Sequence, residues 1–309
     1  MTRSNFQLIY FSLGNSEVPQ TDTNKEKSRL TRGFIWGNQS CSYDSLLTSL
    51  LFMYSNDNEL GRNLLKSTIP GLAAAFDDLL NENTDPGLIK NNLLNEFFFG
   101  PGSMLKPGVH QSIDKIYTHI MGFCKIQIQN DVNDQYFQLN YDLHKTCNNQ
   151  ECVHKNDEKI ISAIKNDILF FDPMKCTDSI NSKIDEFLHS KVRHYRCEEC
   201  GEYLQELYVT TSVPHILTIH LTPLDFSYPI DEEVEVGGQI YELKSVIYFS
   251  DAHFICRFNH DKCVYEYDGY TRKGLIHEIK EVNPFRFMIK DTSNNHRRAY
   301  TIFYRKKQN

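Results

Sequence analysis

Residues 33 to 54, GFIWGNQSCSYDSLLTSLLFMY, run a glycine, a polar cluster and a cysteine straight into a leucine-rich segment. Beyond Cys41 the apolar positions follow a helix: Tyr43, Leu46, Leu47, Leu50, Leu51 and Tyr54 recur at i, i+3, i+4, i+7, i+8 and i+11. Gln39 and Ser40 stand where the helix should begin, and Asp44 falls in its first turn, where the dipole favours an acid. The spacing therefore predicts Cys41 at a helix N-terminus, a position whose unpaired backbone N–H groups favour a reactive thiol. A cysteine can equally be a small buried hydrophobe. The rest of the chain has to separate nucleophile from core filler.

The surrounding chain sets the limits. It has 309 residues, of which 40% are hydrophobic and 24% charged, a globular composition long enough for one large or two ordinary domains. A net charge of −7 gives no basic field for nucleic acid. The basic run HRRAYTIFYRKK reads as a strand with a charged flank. No run of about 18 apolar residues is present, so no membrane helix is expected. The opening MTRSNFQLIYFSLGNS has a short apolar core broken by Gln7 and no small-residue cleavage site, so it is not read as a signal peptide. Nine cysteines, an odd number mostly without a disulfide-like array, point to a reduced compartment, cytoplasm or nucleus.

Residues 1 to 32 read as a leader or loop, polar and aperiodic from 15 on. From Trp36 to about Gly122 the period is helical, through ELGRNLLKS, GLAAAFDDLLNE, PGLIKNNLLNEFF and VHQSIDKIYTHIM, with Pro, Gly and Asn between them. Thereafter the period shifts towards two. CKIQIQ, YFQLNYDLH, YLQELYVTT, HILTIHL, QIYELKSVIYF, HFICRF, CVYEYD and AYTIFYR read as strands, interrupted by one helix, DSINSKIDEFLHS. An α-rich part followed by a β-rich part predicts an α+β fold.

Within the β-rich part, TCNNQEC and RCEECG set Cys147, Cys152, Cys197 and Cys200 as two close pairs. Each pair can chelate from a tight turn, and two such turns make a tetrahedral thiolate site. Zinc suits four thiolates, and a closed tetrahedron leaves no open position, so the role is structural. His144 and His154 flank the first pair but are not needed as ligands.

A cysteine nucleophile needs a base and a group that orients the base. Among 12 histidines, His253 stands out because it opens a strand after a short polar break. Asp268, fifteen positions on, ends another aromatic strand just before Gly269. Adjacent antiparallel strands would bring the two side by side, with the acid fixing the imidazole tautomer. Taken alone, His253 can also be a strand-edge histidine and Asp268 a turn residue.

These pieces together resemble the ubiquitin-specific proteases. NQSCSYDSLL is similar to that family's cysteine box, Asn-Thr-Cys-Tyr-Met-Asn-Ser-x-Leu, with Cys41 on the nucleophile, Ser45 on the box's serine and Gln39 on the Asn two residues before it. AHFICR resembles the Gly-His-Tyr box, placing His253 on the general base. VYEYDG resembles Trp-x-x-Phe-Asp-Asp, placing Asp268 on the orienting acid. PHILTIHLTPLDF, from Pro214 to Phe226, and AYTIFYR resemble two further strands of the family, and the paired cysteines fall where it carries its fingers. The resemblance spans residues 33 to 305. It departs at Ile35, where the family has an oxyanion-hole Asn, and at Gly269, where it has a second Asp. Trp36, Asn38 and Cys41 match the W-x-N-x-x-C style of box shared by transposon-associated fungal relatives and the SUMO-cleaving branch.

The resemblance implies a papain-like domain over 33–309, with a helical thumb at about 33–122, zinc-stapled fingers at about 123–212 and a palm at about 213–309. It implies a thiol-dependent deubiquitinase cutting after the C-terminal Gly-Gly of ubiquitin, with SUMO or another modifier, or a silent modifier-binding module, as alternatives. Gln39 and the Cys41 backbone N–H would hold the oxyanion. Asn38, Phe254 and Tyr267 would contact the modifier tail, although Phe254 and Tyr267 can equally be core aromatics on the other face of their strands. The implied partners are ubiquitin or a ubiquitin-like modifier and its conjugates, with neither nucleic acid nor membrane. Cys124, Cys256 and Cys263 are left as incidental thiols.

Overall fold

A computed structural model describes residues 32–35, 37, 40–81, 84–95, 108–109, 111–127, 135–147, 149–152, 159–171, 179–188, 191–222, 229–250, 252–261, 263–279, 287, 290–291 and 297–308. The helical part comprises α1 (Cys41–Ser55), α2 (Glu59–Thr68), α3 (Pro70–Leu80), α4 (Pro86–Leu93) and α5 (Ile113–Gln127). Local chemistry starts three of them. Asn58 caps α2 by accepting from Gly61 N at 2.8 Å, Asp85 caps α4 by accepting from Gly87 N at 2.9 Å, and Pro70 and Pro86 stand in first turns that need no N–H.

One expectation fails here. The alternation in CKIQIQ predicts a strand, but its first four residues, Cys124 to Gln127, belong to α5, and the rest lie outside the described residues. Gly122 does not stop the helix, because a nucleated helix gains a hydrogen bond with each added residue, and six alternating residues are too few to fix a period.

Two sheets follow. The smaller contains β1 (Leu139–Cys147), β2 (Lys159–Asn166), β4 (Lys191–Arg196) and β5 (Tyr203–Ser212), antiparallel in the order β2-β1-β5-β4. The larger contains β3 (Leu169–Phe171), β6 (Ile216–Leu221), β7 (Glu233–Val236), β8 (Gln239–Ser250), β9 (His253–His260), β10 (Cys263–Tyr267), β11 (Ile276–Ile279), β12 (Lys290–Asp291) and β13 (Arg297–Lys306). Its main path is β11-β10-β9-β8-β13-β6-β3, with β7 on β8 and β12 on β13. Helix α6 (Ile180–Leu188) packs on β5 and β7. Among the described residues no helix is long and apolar enough to cross a membrane.

Helix α1 is the axis of the molecule. Its sequence suggested one apolar face, yet every residue from Cys41 to Ser55 is buried, because it lies between the other helices and strands β8 and β9. Its small polar residues allow close approach to the sheet: Ser49 Oγ meets Ser245 Oγ at 3.1 Å, and Cys256 Sγ donates to Ser45 O at 3.1 Å. At the far end Arg305 of β13 donates to Asn56 O at 2.8 Å, a cation where the helix dipole favours one.

Candidate active site

Cys41 is the first residue of α1, 3% exposed. The chain leading to it is held by the sheet. Gly33 N donates to Gly274 O at 2.8 Å, Phe34 N donates to Thr48 Oγ1 at 3.2 Å, and the Tyr267 hydroxyl donates to Phe34 O. Position 33 must be glycine, since a Cβ there would overlap the Thr48 side chain and stand 2.8 Å from the Tyr267 ring.

Strands β9 and β10 bring His253 and Asp268 to Cys41. Tyr267 pairs with Cys256, so the start of β9 and the end of β10 lie together. Ala252, at φ 62, makes the tight turn that precedes His253. Asp268 Oδ1 accepts from His253 Nε2 at 2.9 Å, from Tyr270 N at 2.9 Å and from Thr271 N at 3.1 Å, while Oδ2 accepts from Thr271 Oγ1 at 2.7 Å. Burial alone would raise this carboxyl, but the bonds from His253 and Thr271 outweigh it and hold Asp268 far below the usual carboxylate range. Burial likewise opposes charge on His253. The interactions with Asp268, and after it with Cys41, win and raise the imidazole to about 9. The Tyr270 ring stands edge-on to the imidazole at 6.0 Å.

The structure thus brings Cys41, His253 and Asp268 together around one imidazole. Asn38 and Gln39 lie outside the described residues, as does Trp36. Two of the residues expected at the modifier tail are buried. Tyr267 is fully buried, and its hydroxyl donates to Phe34 O in the loop before Cys41. Phe254, 6% exposed, packs against the Phe249 and Tyr300 rings in the core.

Sequence reasoning missed a charged cluster behind the cysteine. Asp44, read as a dipole-facing acid, is 1% exposed and lies 2.7 Å from Lys90 Nζ of α4. Burial pushes its carboxyl up, and Lys90, Ser40 and His253 pull it part of the way back, to about 6. The available signal was a lone lysine in the apolar run GLIKNNLL, together with an acid four residues after Ser40.

The second site is the four-cysteine cluster at the tip of the smaller sheet. Cys147 ends β1, Cys152 follows in a turn, and Cys197 and Cys200 fill the turn between β4 and β5. All four sulfurs lie within 4.8 Å of one another, with Cys147–Cys200 at 3.4 Å and Cys152–Cys197 at 3.7 Å. A zinc tetrahedron with Zn–S of about 2.3 Å puts sulfurs about 3.8 Å apart, so the cluster fits the ion. Backbone N–H groups of Cys200 and Glu199 lower the Cys197 thiol to about 7, and Gly201, at φ +73, closes the knuckle. Among the described residues this is the group that offers metal geometry.

No family model matches the sequence, and no curated protein matches it either. Solved structures do match by shape. The SAGA DUB module Ubp8/Sgf11/Sus1/Sgf73 bound to ubiquitin aldehyde aligns with a TM-score of 0.61 at 14% identity, over 93% of this chain and 71% of that chain. The same module bound to monoubiquitin gives 0.58 at 14% identity, over 94% and 72%. The yeast SAGA DUB module with a mutant Sgf73 gives 0.54 at 14% identity, over 94% and 71%. At that identity the likeness carries architecture, and the chain has the α+β ubiquitin-specific protease fold of Ubp8, with helices, a large sheet and a smaller sheet tipped by four cysteines.

Proposed function

We propose that this protein is a cysteine-dependent isopeptidase that cleaves after the C-terminal Gly-Gly of ubiquitin. The observation that carries the reading is the His253 imidazole, hydrogen-bonded to Asp268 at 2.9 Å and raised by the proximity of Cys41 as well as of Asp268. Neighbours of the same fold hold ubiquitin aldehyde and monoubiquitin, which supports the substrate class.

In the proposed reaction Cys41 Sγ, its proton passed to His253, attacks the isopeptide carbonyl. The tetrahedral oxyanion is held by the Cys41 backbone N–H and by Gln39, with Asn38 beside it. Collapse breaks the C–N bond, and His253 gives its proton to the departing lysine amine, leaving a thioester on Cys41. Water then attacks that thioester while His253 takes a proton. The modifier carboxylate leaves, and the proton returns to the cysteine. Asp268 keeps the ring oriented and stabilises its charged form, as the acid of a catalytic triad does. Zinc on Cys147, Cys152, Cys197 and Cys200 would staple the fingers and take no part in the chemistry.

The roles divide the chain into thumb at about 33–122, fingers at about 123–212 and palm at about 213–309. The test is covalent labelling with ubiquitin bearing a C-terminal electrophile. A single adduct on the Cys41 peptide is expected, and an adduct on any other cysteine would reject the assignment.

A further inference from the structure

We propose that Lys90 is a positioning residue for the reaction at Cys41. This inference rests on the function proposed above and adds a part that the family resemblance does not supply. Lys90 comes from α4, 8% exposed, and its ammonium reaches three acceptors of the segment that runs into the nucleophile. Nζ stands 2.7 Å from Ile35 O, 2.8 Å from Ser40 Oγ and 2.7 Å from Asp44 Oδ1. Ser40 Oγ in turn donates to Asp44 Oδ2 at 2.5 Å and accepts from Gly37 N at 3.1 Å. Carbonyl, hydroxyl and carboxylate, at positions 35, 40 and 44, thereby close around one cation that fills its three donor directions.

The placement explains how the segment manages with Ile35. That side chain is 44% exposed, while its carbonyl turns inward to Lys90. A position that carries a side-chain oxyanion donor in the resembling family is here an anchor for backbone. The donors that remain belong to the segment itself, and their aim depends on how firmly it is held. A misplacement of about 1 Å can lower a rate about 100-fold. Among the described residues, the other titratable groups acting on Asp44 include His253 from β9 and Tyr267 from β10, whose hydroxyl feels the carboxylate.

The pair could instead be a buried ion pair that only holds the fold, and the experiment separates the two. Lys90→Met alone strands a carboxylate in the core and is prone to unfolding, because breaking a buried pair leaves an uncompensated charge. The decisive variant is Lys90→Met with Asp44→Asn, compared with Asp44→Asn alone, both in the full chain. Steady-state cleavage of a ubiquitin fluorogenic substrate is measured together with amide hydrogen exchange of peptides covering residues 33 to 44. The expected result is a kcat at least tenfold lower in the double variant than in Asp44→Asn, KM within threefold, and faster exchange in those peptides. A kcat within twofold of Asp44→Asn overturns the proposal. If the wild type cleaves neither ubiquitin nor SUMO substrates, the functional reading fails separately, and exchange decides: unchanged rates at 33 to 44 then overturn the strut.

Discussion

His253 Nε2 and Asp268 Oδ1 stand 2.9 Å apart across fifteen residues of sequence, because β9 and β10 are antiparallel and both residues lie at the same end of the pair. The acid carries three further donors from Tyr270 and Thr271, so it is fixed before the imidazole is. Cys41→Ala is expected to abolish cleavage with little change in the unfolding transition. His253→Ala should lose roughly 100- to 10,000-fold in kcat, the range for a positioned acid–base group. Asp268→Ala should lose less, since the acid orients the ring but does not carry the proton. Equal losses in the two variants would contradict that division of labour.

The same pair predicts how stability follows pH. Asp268 is lowered in the folded state, so its contribution is present above the unfolded value of about 3.9 and is lost as pH falls through the folded value. His253 is raised to about 9, so its contribution is complete below the unfolded value of about 6.5 and is lost as pH rises through about 9. Urea unfolding of wild type and His253→Gln should therefore differ more at pH 6 than at pH 10. A difference that grows with pH would show that the imidazole is not held protonated.

Tyr267→Phe separates a supporting role from a substrate-contacting one. The buried Phe34 carbonyl would lose its donor, at a cost of about 1–3 kcal/mol in unfolding free energy, read from a denaturant titration. KM should not move, because the ring lies in the core. A raised KM at unchanged stability would return Tyr267 to the cleft.

Purified protein should carry about one zinc per chain, following the four-thiolate rule. Chelation should speed hydrogen exchange in β1, β4 and β5 while the region of Cys41 and His253 stays protected, since the ligands join only the smaller sheet. Full protection of that sheet in metal-free protein would show that the cysteines hold no structural ion.

Ubiquitin is expected over SUMO. The smaller sheet keeps four strands, and Asp185, Glu186, Glu198, Glu199 and Glu202 are exposed on or beside it. The binding face of ubiquitin is basic, so this charge favours encounter, although exposed pairs contribute only about 0–1 kcal/mol each. Paired fluorogenic substrates at equal concentration provide the comparison. A kcat/KM tenfold higher for SUMO, about 1.4 kcal/mol in transition-state stabilisation, would reverse the modifier and leave the cysteine chemistry standing.

What could be read from sequence was whatever local pattern encodes. The start of α1 at Cys41, the strands on either side of His253 and Asp268, and the two cysteine pairs each follow from spacing within a few residues. What escaped depends on the rest of the molecule. Tyr267 and Asp268 are neighbours, yet one faces the core and the other the imidazole, and alternation says that they differ without saying which is which. Lys90 is 55 residues from the carbonyl it holds, beyond the reach of any local pattern. Helix α1 read as one-sided because its serines count as polar, though small hydroxyls pack well against a sheet.

Strand β13, last of the large sheet in chain order, lies between β8 and β6 near the middle of that sheet. Among the described residues the smaller sheet, by contrast, is drawn from 139 to 212. During synthesis the smaller sheet can therefore assemble while the large one still has a gap at its centre, with β6 and β8 showing open edges to any passing strand. Arg305, which closes the far end of the nucleophile's helix, arrives with the same late segment. A chain that stops before β13 would thus hold Cys41 on an unbraced helix and His253 on an unfinished sheet.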